Sequence, residues 1–230
     1  MSDDQWKDLY AHHSDLYERL VTHEDLQGNL LAALQTICPL DGAIVVEFGA
    51  GTGRVTTQLL PFVRQILACD LTPSMLAVAQ RKLCQSPFTN WSLLRADSRA
   101  MPLPTACADV ALEGWAFLQI KVWHPDNWAA ALDEMLRLVR VGGTAVLIET
   151  LGTGQTEPNP PLAFVPFYDY LEQERGFTRH WIRTDYHFAS RAEAQEIVVP
   201  FFGEAMLDAL VPTANGVTLP ECTGLWWRRV

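Results

Sequence analysis

Short apolar runs alternate with segments whose apolar residues recur at helical spacing through the middle of the chain. The apolar runs predict five buried strands near residues 44–47, 65–69, 91–96, 109–112 and 144–148. Between the runs, the helical spacing predicts helices near residues 54–62, 72–83 and 126–140. Strands that alternate with helices in this way favour a doubly wound parallel sheet with helices on both faces, a Rossmann-like α/β fold.

The flanking segments predict further helices and two further strands. Leucines at helical spacing indicate one helical stretch over 5–37, so residues 1–40 are expected to form an amino-terminal helical cap. After a Gly/Pro-rich loop at 152–162, we expect these elements: a helix over 163–174, a strand over 181–188, a helix that begins after Ser190 and is kinked or divided by Pro200, and a strand over 224–229. The chain is therefore interpreted as one domain, with a cofactor-binding core at 41–150 and strands and helical substrate-side insertions at 151–230.

The first predicted strand runs into a glycine-rich turn. Residues 44–53 read I-V-V-E-F-G-A-G-T-G, with Glu47 at the strand end and glycines at Gly49, Gly51 and Gly53. A strand, glycine turn and helix in this order bind nucleotides through backbone contacts. A dinucleotide fingerprint would place its third glycine at position 54, where this chain has arginine, and no Lys-Ser or Lys-Thr follows for a phosphate loop. A nicotinamide dehydrogenase is therefore disfavoured.

Acidic residues also end the next three predicted strands. They are Asp70, Asp97 and Glu113. The carboxyl ends of parallel strands share one rim of the sheet, where open α/β folds bind ligands. Asp70, about twenty residues past the glycines, suits a ribose diol. It could instead cap the following helix, but Thr72 is available for that task.

The motifs resemble those of the class I S-adenosylmethionine (SAM)-dependent methyltransferases. Residues 47–53 fit the family's first motif, [E/D]-x-G-x-G-x-G, and Asp97 with the Met101-Pro102-Leu103-Pro104 segment is similar to its D-x-x-x-[LM]-P-F segment, Leu103 replacing phenylalanine. The resemblance spans 41–150 and is nearest to the small-molecule type 11 group, related to quinone-precursor methyltransferases. It implies SAM as cofactor, S-adenosylhomocysteine as product, and a seven-stranded sheet whose last strand is antiparallel.

The resemblance also implies which residues contact the cofactor. An acid at Asp70 binds both ribose hydroxyls in the family, and an acid at Asp97 accepts from the adenine amino group while the next backbone N–H contacts the ring. Leu71 and Met75 could wall the adenine, although helical packing explains Met75 almost as well. The expected cofactor contacts are Glu47, Gly49, Ala50, Gly51, Asp70, Leu71, Met75, Asp97, Ser98 and Glu113.

Methyl transfer places few demands on catalytic side chains. The leaving thioether is neutral, so positioning and desolvation can supply most of the acceleration, and a base is needed only if the acceptor must lose a proton. The candidates are His124, Tyr168 and Tyr10, each of which packing or a helix-start contact could also explain. The aromatic segment at 164–181 could cover an apolar or aromatic acceptor or belong to the core. No metal site is predicted.

Charge and composition limit the kinds of partner that the chain is expected to bind. The net charge of −10 and pI near 5.0 disfavour a nucleic-acid partner. The Asn159-Pro160-Pro161-Leu162 segment resembles a DNA amino-methyltransferase motif, but it follows the wrong strand and lacks the terminal aromatic residue. No apolar run reaches the length of a membrane span, the first residues lack a secretory signal, and five scattered cysteines suggest a reducing, cytoplasmic setting. A small-molecule acceptor is expected, and a homodimer remains open.

Two other functions share this scaffold. One is an aminopropyl transferase that uses decarboxylated SAM, which would call for an acid pair beyond the fourth strand. The other is a non-catalytic protein that binds SAM as a sensor or partner subunit.

Overall fold

The computed structural model describes residues 3–230 of the 230-residue chain. Its helices are α1 Asp3–His12, α2 Ser14–Val21, α3 Asn29–Ile37, α4 Arg54–Leu59, α5 Pro73–Gln85, α6 Phe117–Trp123, α7 Ala129–Leu138, α8 Val165–Asp169 and α9 Arg191–Phe202. Its strands are β1 Ile44–Phe48, β2 Gln65–Asp70, β3 Trp91–Arg95, β4 Ala108–Gly114, β5 Val139–Thr153, β6 Thr178–Arg183, β7 Tyr186–Phe188, β8 Val211–Thr213, β9 Gly216–Leu219 and β10 Glu221–Arg229. A π-helical turn, Tyr170–Glu174, follows α8, and a 3-10 helix, Glu204–Ala209, follows α9.

Seven strands form the main sheet, in the order β3-β2-β1-β4-β5-β10-β6. Strands β1 to β5 pair in parallel, and β10 pairs antiparallel with both β5 and β6. This arrangement confirms the predicted Rossmann-like sheet with an antiparallel last strand. The strand order reverses between β1 and β4, and the carboxyl ends of strands at such a switch point form the usual ligand crevice.

Alternate residues of the central strands face opposite sides of the sheet and enter different clusters. Val45 and Val146 pack with α3, α4 and α5, whereas Val46 and Leu147 pack with α6 and α7. Both faces are buried because helices cover both, which explains why these strands read as continuous apolar runs. The double cover holds the glycine turn and the strand ends in fixed positions.

A second, three-stranded sheet, with the order β7-β9-β8, was not predicted. It packs with α1, α2 and α9 in a third apolar cluster that includes Leu9, Leu20, Phe188, Ile197 and Leu219. The amino-terminal cap is therefore fixed by residues from the far end of the sequence.

The single predicted strand at 181–188 is wrong, because the chain leaves one sheet and enters the other within it. Strands β6 and β7 are separated by Thr184 and Asp185. The Thr184 amide donates to the Glu221 carbonyl, and the Asp185 carboxylate accepts from the Glu221 amide and the Arg183 guanidinium. These bonds fix the crossing.

The helical stretch predicted over 5–37 is divided in the structure. It is three helices, and Asp25 and Gly28 both have positive φ in the last break. The Asp25 carboxylate accepts from the amides of Asn29 and Leu30, so it starts α3 as a local cap.

Pro200 does not divide its helix: α9 continues to Phe202, because a proline in the last turns removes only one late hydrogen bond. The helix predicted over 126–140 is shorter, since Val139 already pairs with Ala108.

Candidate functional site

The glycine turn after β1 brings the backbone close to α6. Gly49 has a φ of +63°, and a Cβ there would lie 2.3 Å from the Ala116 Cβ. Gly51 has a φ of +56°, but a Cβ there would meet only the Tyr17 ring, at 3.7 Å. Gly49 is thus needed for close packing against the start of α6, whereas Gly51 faces the site.

We expect Gly49→Ala to lower the free energy of unfolding by about 3 kcal/mol, because it combines a left-handed backbone with a clash. Gly176→Ala is the matched control: its φ is +69°, but nothing lies within 4 Å of the added methyl group. The control should lose about 1 kcal/mol, the conformational cost alone. Urea denaturation measures both variants, and equal losses would show that the approach to Ala116 is not tight.

A cavity of about 130 Å³ opens beside this turn, at the carboxyl ends of β2, β3 and β4. Seven of the ten predicted cofactor contacts line it: Gly49, Gly51, Asp70, Leu71, Met75, Asp97 and Ser98. The cap closes one side with Tyr10 and Tyr17, and α6 supplies Ile120. The structure thus brings together residues that the sequence placed at or after three separate strand ends.

Asp70 joins the glycine turn to the start of α5. Its Oδ2 accepts from the Gly51 amide at 2.8 Å, and its Oδ1 accepts from the Thr72 amide at 2.7 Å. Burial raises the pKa of this carboxyl. The Thr72 side chain makes no capping bond, so Asp70 itself satisfies the helix start. Each carboxylate oxygen can accept more than one hydrogen bond, so Asp70 can also bind a diol that enters the cavity.

Asp97 is held by Arg99, a residue that no sequence motif marks. The Arg99 Nε donates to Oδ1 at 3.0 Å, and Nη2 donates to Oδ2 at 2.7 Å, in a bidentate pair. The hydrogen-bonded guanidinium lowers the pKa of Asp97. Asp97 therefore presents a fixed, ionised acceptor at the cavity rim.

Three of the predicted contacts do not line this cavity: Glu47, Ala50 and Glu113. Glu47 and Ala50 border a small space behind the turn, where the Thr56 hydroxyl donates to the Glu47 carboxylate. Burial raises the pKa of Glu47 to about 7. Glu47 thus links the end of β1 to α4, and both residues border this space and not the first cavity.

Glu113 lies below the start of α6 and is fully buried. Its Oε2 accepts from the amides of Ala116 and Phe117 at 2.9 and 3.3 Å, and burial raises its pKa to about 8. Its neighbour Glu149, on the adjacent strand β5, accepts from the Leu118 amide at 2.8 Å. Burial, and then the Glu113 carboxyl, raise the pKa of Glu149. Two carboxyl groups therefore hold the start of α6. In the sequence, the feature that could have marked Glu149 as a site residue is its position directly after the predicted strand at 144–148.

A second cavity, of about 670 Å³, adjoins the first and shares four lining residues with it: Tyr10, Tyr17, Trp115 and Gln119. Its ionisable residues, apart from tyrosines, are Glu24, Arg54, Glu149 and Glu221. Aromatic and apolar side chains supply most of the remaining wall, including Trp6, Phe164, Tyr186, Phe202 and Met206. The arrangement offers two joined compartments, one beside the glycine turn and one beneath the cap.

Arg54, whose presence disfavours dinucleotide binding, lies between the glycine turn and the second cavity. It forms an ion pair with Glu24 and stacks over Trp115, with the guanidinium carbon 3.6 Å from the ring centroid. Glu24 also accepts from the Thr184 hydroxyl at 3.0 Å. This network links the start of α4 to the cap and to the crossing between the two sheets.

The catalytic candidates fall into two groups. His124 lines the first cavity, and Tyr10 lines both cavities, where burial raises its pKa well above 10.0. Tyr168 lines neither cavity: its hydroxyl donates to the Thr150 carbonyl at 2.6 Å, and its ring stacks on Trp226. These contacts are those of a packing residue, and a catalytic role for Tyr168 stays a prediction. In the predicted aromatic cover, Phe164 borders the second cavity, whereas Tyr168 belongs to the core.

Neither a metal cluster nor a membrane-spanning helix occurs within residues 3–230, the part of the chain that the structure describes. No group of three or more His, Cys, Asp or Glu residues there is placed to hold a metal ion. Within the same range, no helix combines the length and apolar character needed to cross a membrane.

The sheet order, the glycine turn and the acids at the strand ends define a Rossmann-like nucleoside-binding α/β domain. A family model described as a methyltransferase domain matches residues 45–143. Phosphoethanolamine N-methyltransferase 3 of Arabidopsis thaliana is 30% identical over 143 residues, 59% of this chain and 28% of that protein. A malonyl-[acyl-carrier protein] O-methyltransferase of Pectobacterium atrosepticum is 28% identical over 138 residues, 60% of this chain and 49% of its own.

The solved structures agree at the level of fold. A SAM-dependent methyltransferase from Aquifex aeolicus superposes with a TM-score of 0.57 and 15% identity, covering 90% of this chain and 95% of that one. The family match over 45–143 and the curated relatives support a class I SAM-dependent methyltransferase domain of the type 11-like group, a family whose cofactor is SAM. The chain spans less than half the length of the two curated relatives described above.

Proposed function

We propose that this protein transfers the methyl group of SAM to a small-molecule acceptor that binds in the second cavity. The observation that carries the proposal is the Asp70 carboxylate, fixed by the Gly51 and Thr72 amides at the wall of a cavity that opens into a second one. This combination provides a diol-binding acid beside a separate space for an acceptor.

The residues of the first cavity fit the chemistry of SAM. Asp70 has acceptor capacity for two ribose hydroxyls, and Asp97 with the Ser98 amide can bind the polar edge of an adenine. Leu71, Met75 and Ile120 provide apolar surface for the ring. When bound, SAM supplies a methyl group on a positively charged sulfur.

The chain's own contribution is to position two reactants and exclude water. The cavities meet at Tyr10, Tyr17, Trp115 and Gln119, where the cap covers the rim of the sheet. Holding two reactants in a dry, fixed arrangement can supply a large part of a displacement's acceleration. Tyr10 is unsuited to act as a base near neutral pH, because burial raises its pKa.

A small molecule fits this site better than a nucleic acid. The second cavity has a volume of about 670 Å³, within the range of small-molecule sites. The chain's formal net charge of −10 opposes binding to a phosphate backbone. The Asn159-Pro160-Pro161-Leu162 segment lines the second cavity as part of its wall, after β5.

Asp70→Ala should weaken SAM binding by about 1–3 kcal/mol, because the polar partners of the carboxylate lose their acceptor. Calorimetric titration with SAM, S-adenosylhomocysteine and NAD measures this directly, and wild-type protein should bind the first two but not NAD. Asp133→Ala, at an exposed acid on α7, is the control and should bind SAM as wild type does. Unchanged affinity in Asp70→Ala would show that the ribose lies elsewhere.

A further inference from the structure

The second cavity contains more carboxyl groups than basic groups. Glu24, Glu149 and Glu221 line it, and Arg54 is the single Lys or Arg side chain among the described lining residues. Arg54 is already paired with Glu24. Two carboxyl groups, those of Glu149 and Glu221, therefore face the cavity without a basic partner of their own.

One carboxyl oxygen of Glu221 has no hydrogen-bond donor among the described residues. Glu221 is 2% exposed, and the Thr150 hydroxyl donates to its Oε1 at 2.6 Å. Its Oε2 is buried and has no hydrogen-bond partner among the described residues. A buried acceptor without a donor is unfavourable, so a ligand that brings a donor to this oxygen would be stabilised.

Glu149 places another carboxyl group in the second cavity, on the side nearer to the first cavity. It is 2% exposed, and the Leu118 amide fixes its Oε1. Leu118 itself lines the second cavity, and its neighbour Gln119 borders both. The Glu149 carboxyl thus lies on the side of the second cavity that leads to the proposed cofactor site.

The surrounding wall suits the rest of an organic cation. Trp6, Tyr10, Tyr17, Tyr186 and Phe202 present ring surface, which attracts cations and accommodates apolar groups. The chain's own cation in this cavity is held in the same way, because Arg54 combines the Glu24 carboxylate with the face of Trp115.

We propose that the second cavity binds an organic cation, a protonated amine on an apolar or aromatic body, through the carboxylates of Glu149 and Glu221. This inference rests on the proposed function, since it takes the second cavity as the acceptor site. Burial raises the pKa of Glu221 to about 8 and also raises that of Glu149. A cation placed beside them would lower both values and favour the charged forms.

The test is a charge series of probes titrated into the full chain saturated with S-adenosylhomocysteine. The probes are 2-phenylethylamine, 2-phenylethanol and 3-phenylpropionate, which share a phenyl body and differ in charge. The amine should bind at least about tenfold more tightly than the alcohol, and the carboxylate should not bind. Equal affinity for amine and alcohol, or no binding of the amine at millimolar concentration, would overturn the proposal.

Glu149→Gln and Glu221→Gln locate the cation. Each should weaken amine binding at least about fivefold and leave alcohol binding unchanged, because glutamine keeps the shape and removes the charge. Glu196→Gln, at an exposed glutamate paired with Arg19, is the control and should bind the amine as wild type does. Wild-type amine affinity in both cavity variants would contradict the assignment.

A parallel titration without S-adenosylhomocysteine separates this inference from the proposed function. If S-adenosylhomocysteine binds but the amine shows no preference, the cation site is wrong and the cofactor site stands. If S-adenosylhomocysteine does not bind, the proposed function fails, while the charge series still tests the second cavity. Thermal melts of each variant show whether a lost signal reflects lost folding.

Discussion

Arg54→Met is expected to lower the free energy of unfolding by about 3–5 kcal/mol, the usual cost of removing one partner from a buried ion pair. The Glu24 side chain is 2% exposed and the Arg54 side chain 14% exposed, so the remaining carboxylate would stay out of water. The substitution also removes the guanidinium that stacks on Trp115. Methionine keeps an apolar stem of similar length, so the loss reports mainly on charge.

Two variants show whether the effect comes from the unpaired acid. Arg54→Met combined with Glu24→Gln should recover much of the loss, because no charge is then left buried. Arg19→Met removes an exposed pair with Glu196 and should cost less than about 1 kcal/mol. Urea denaturation measures all four proteins. A loss in Arg54→Met as small as that in Arg19→Met would mean that Glu24 is not held as a buried anion.

The second large effect is a fall in stability as the pH rises from about 5 to 8.5. Burial raises the pKa of Glu47 to about 7 and that of Glu113 and Glu221 to about 8, against 4.5 for a free glutamate. Across this range the folded chain retains protons that the unfolded chain has released. Rising pH therefore favours unfolding, on the order of 1–3 kcal/mol for each carboxyl.

Urea denaturation at pH 5.5, 7.0 and 8.5 tests this, with an expected total fall of at least about 3 kcal/mol. Glu221→Gln should flatten part of the slope, since glutamine does not titrate. Glu196→Gln, at an exposed position, should leave the slope as it is in wild type. The pKa of Asp97, which Arg99 lowers, affects stability only at more acidic pH. Constant or rising stability over this range would contradict the burial of these acids in their protonated form.

The sequence predicted the sheet because local patterns determine it. Parallel strands covered on both faces must be continuously apolar, and their carboxyl ends meet at one rim, so residue order alone places Asp70 and Asp97 there. Glu149 directly follows the apolar run predicted at 144–148, although β5 itself continues to Thr153 and the family motifs do not mark Glu149. The glycine spacing likewise indicated a turn that borders the first cavity.

The second cavity could not be predicted because contacts between distant residues create it. Glu24 lies in the break between α2 and α3 and Arg54 begins α4, yet the two side chains pair inside the molecule. The apolar pattern at 181–188 reads as one strand, and only the hydrogen bonds of Thr184 and Asp185 reveal the crossing between sheets. The sequence pattern also does not show which way side chains point at the strand ends. Glu47 and Glu113 were therefore placed among the cofactor contacts, although they do not line the first cavity.

The third apolar cluster joins Leu9 and Leu20 to partners between Tyr186 and Leu219. During translation, α1 and α2 leave the ribosome long before these partners are synthesised, so their apolar faces remain unpacked until then. Contacts between residues so far apart in sequence close late, because the intervening chain must be ordered first. Strands β1 to β5 can therefore assemble while the cap is still undocked, and the wall of the second cavity is completed only when the chain through Glu221 has been made.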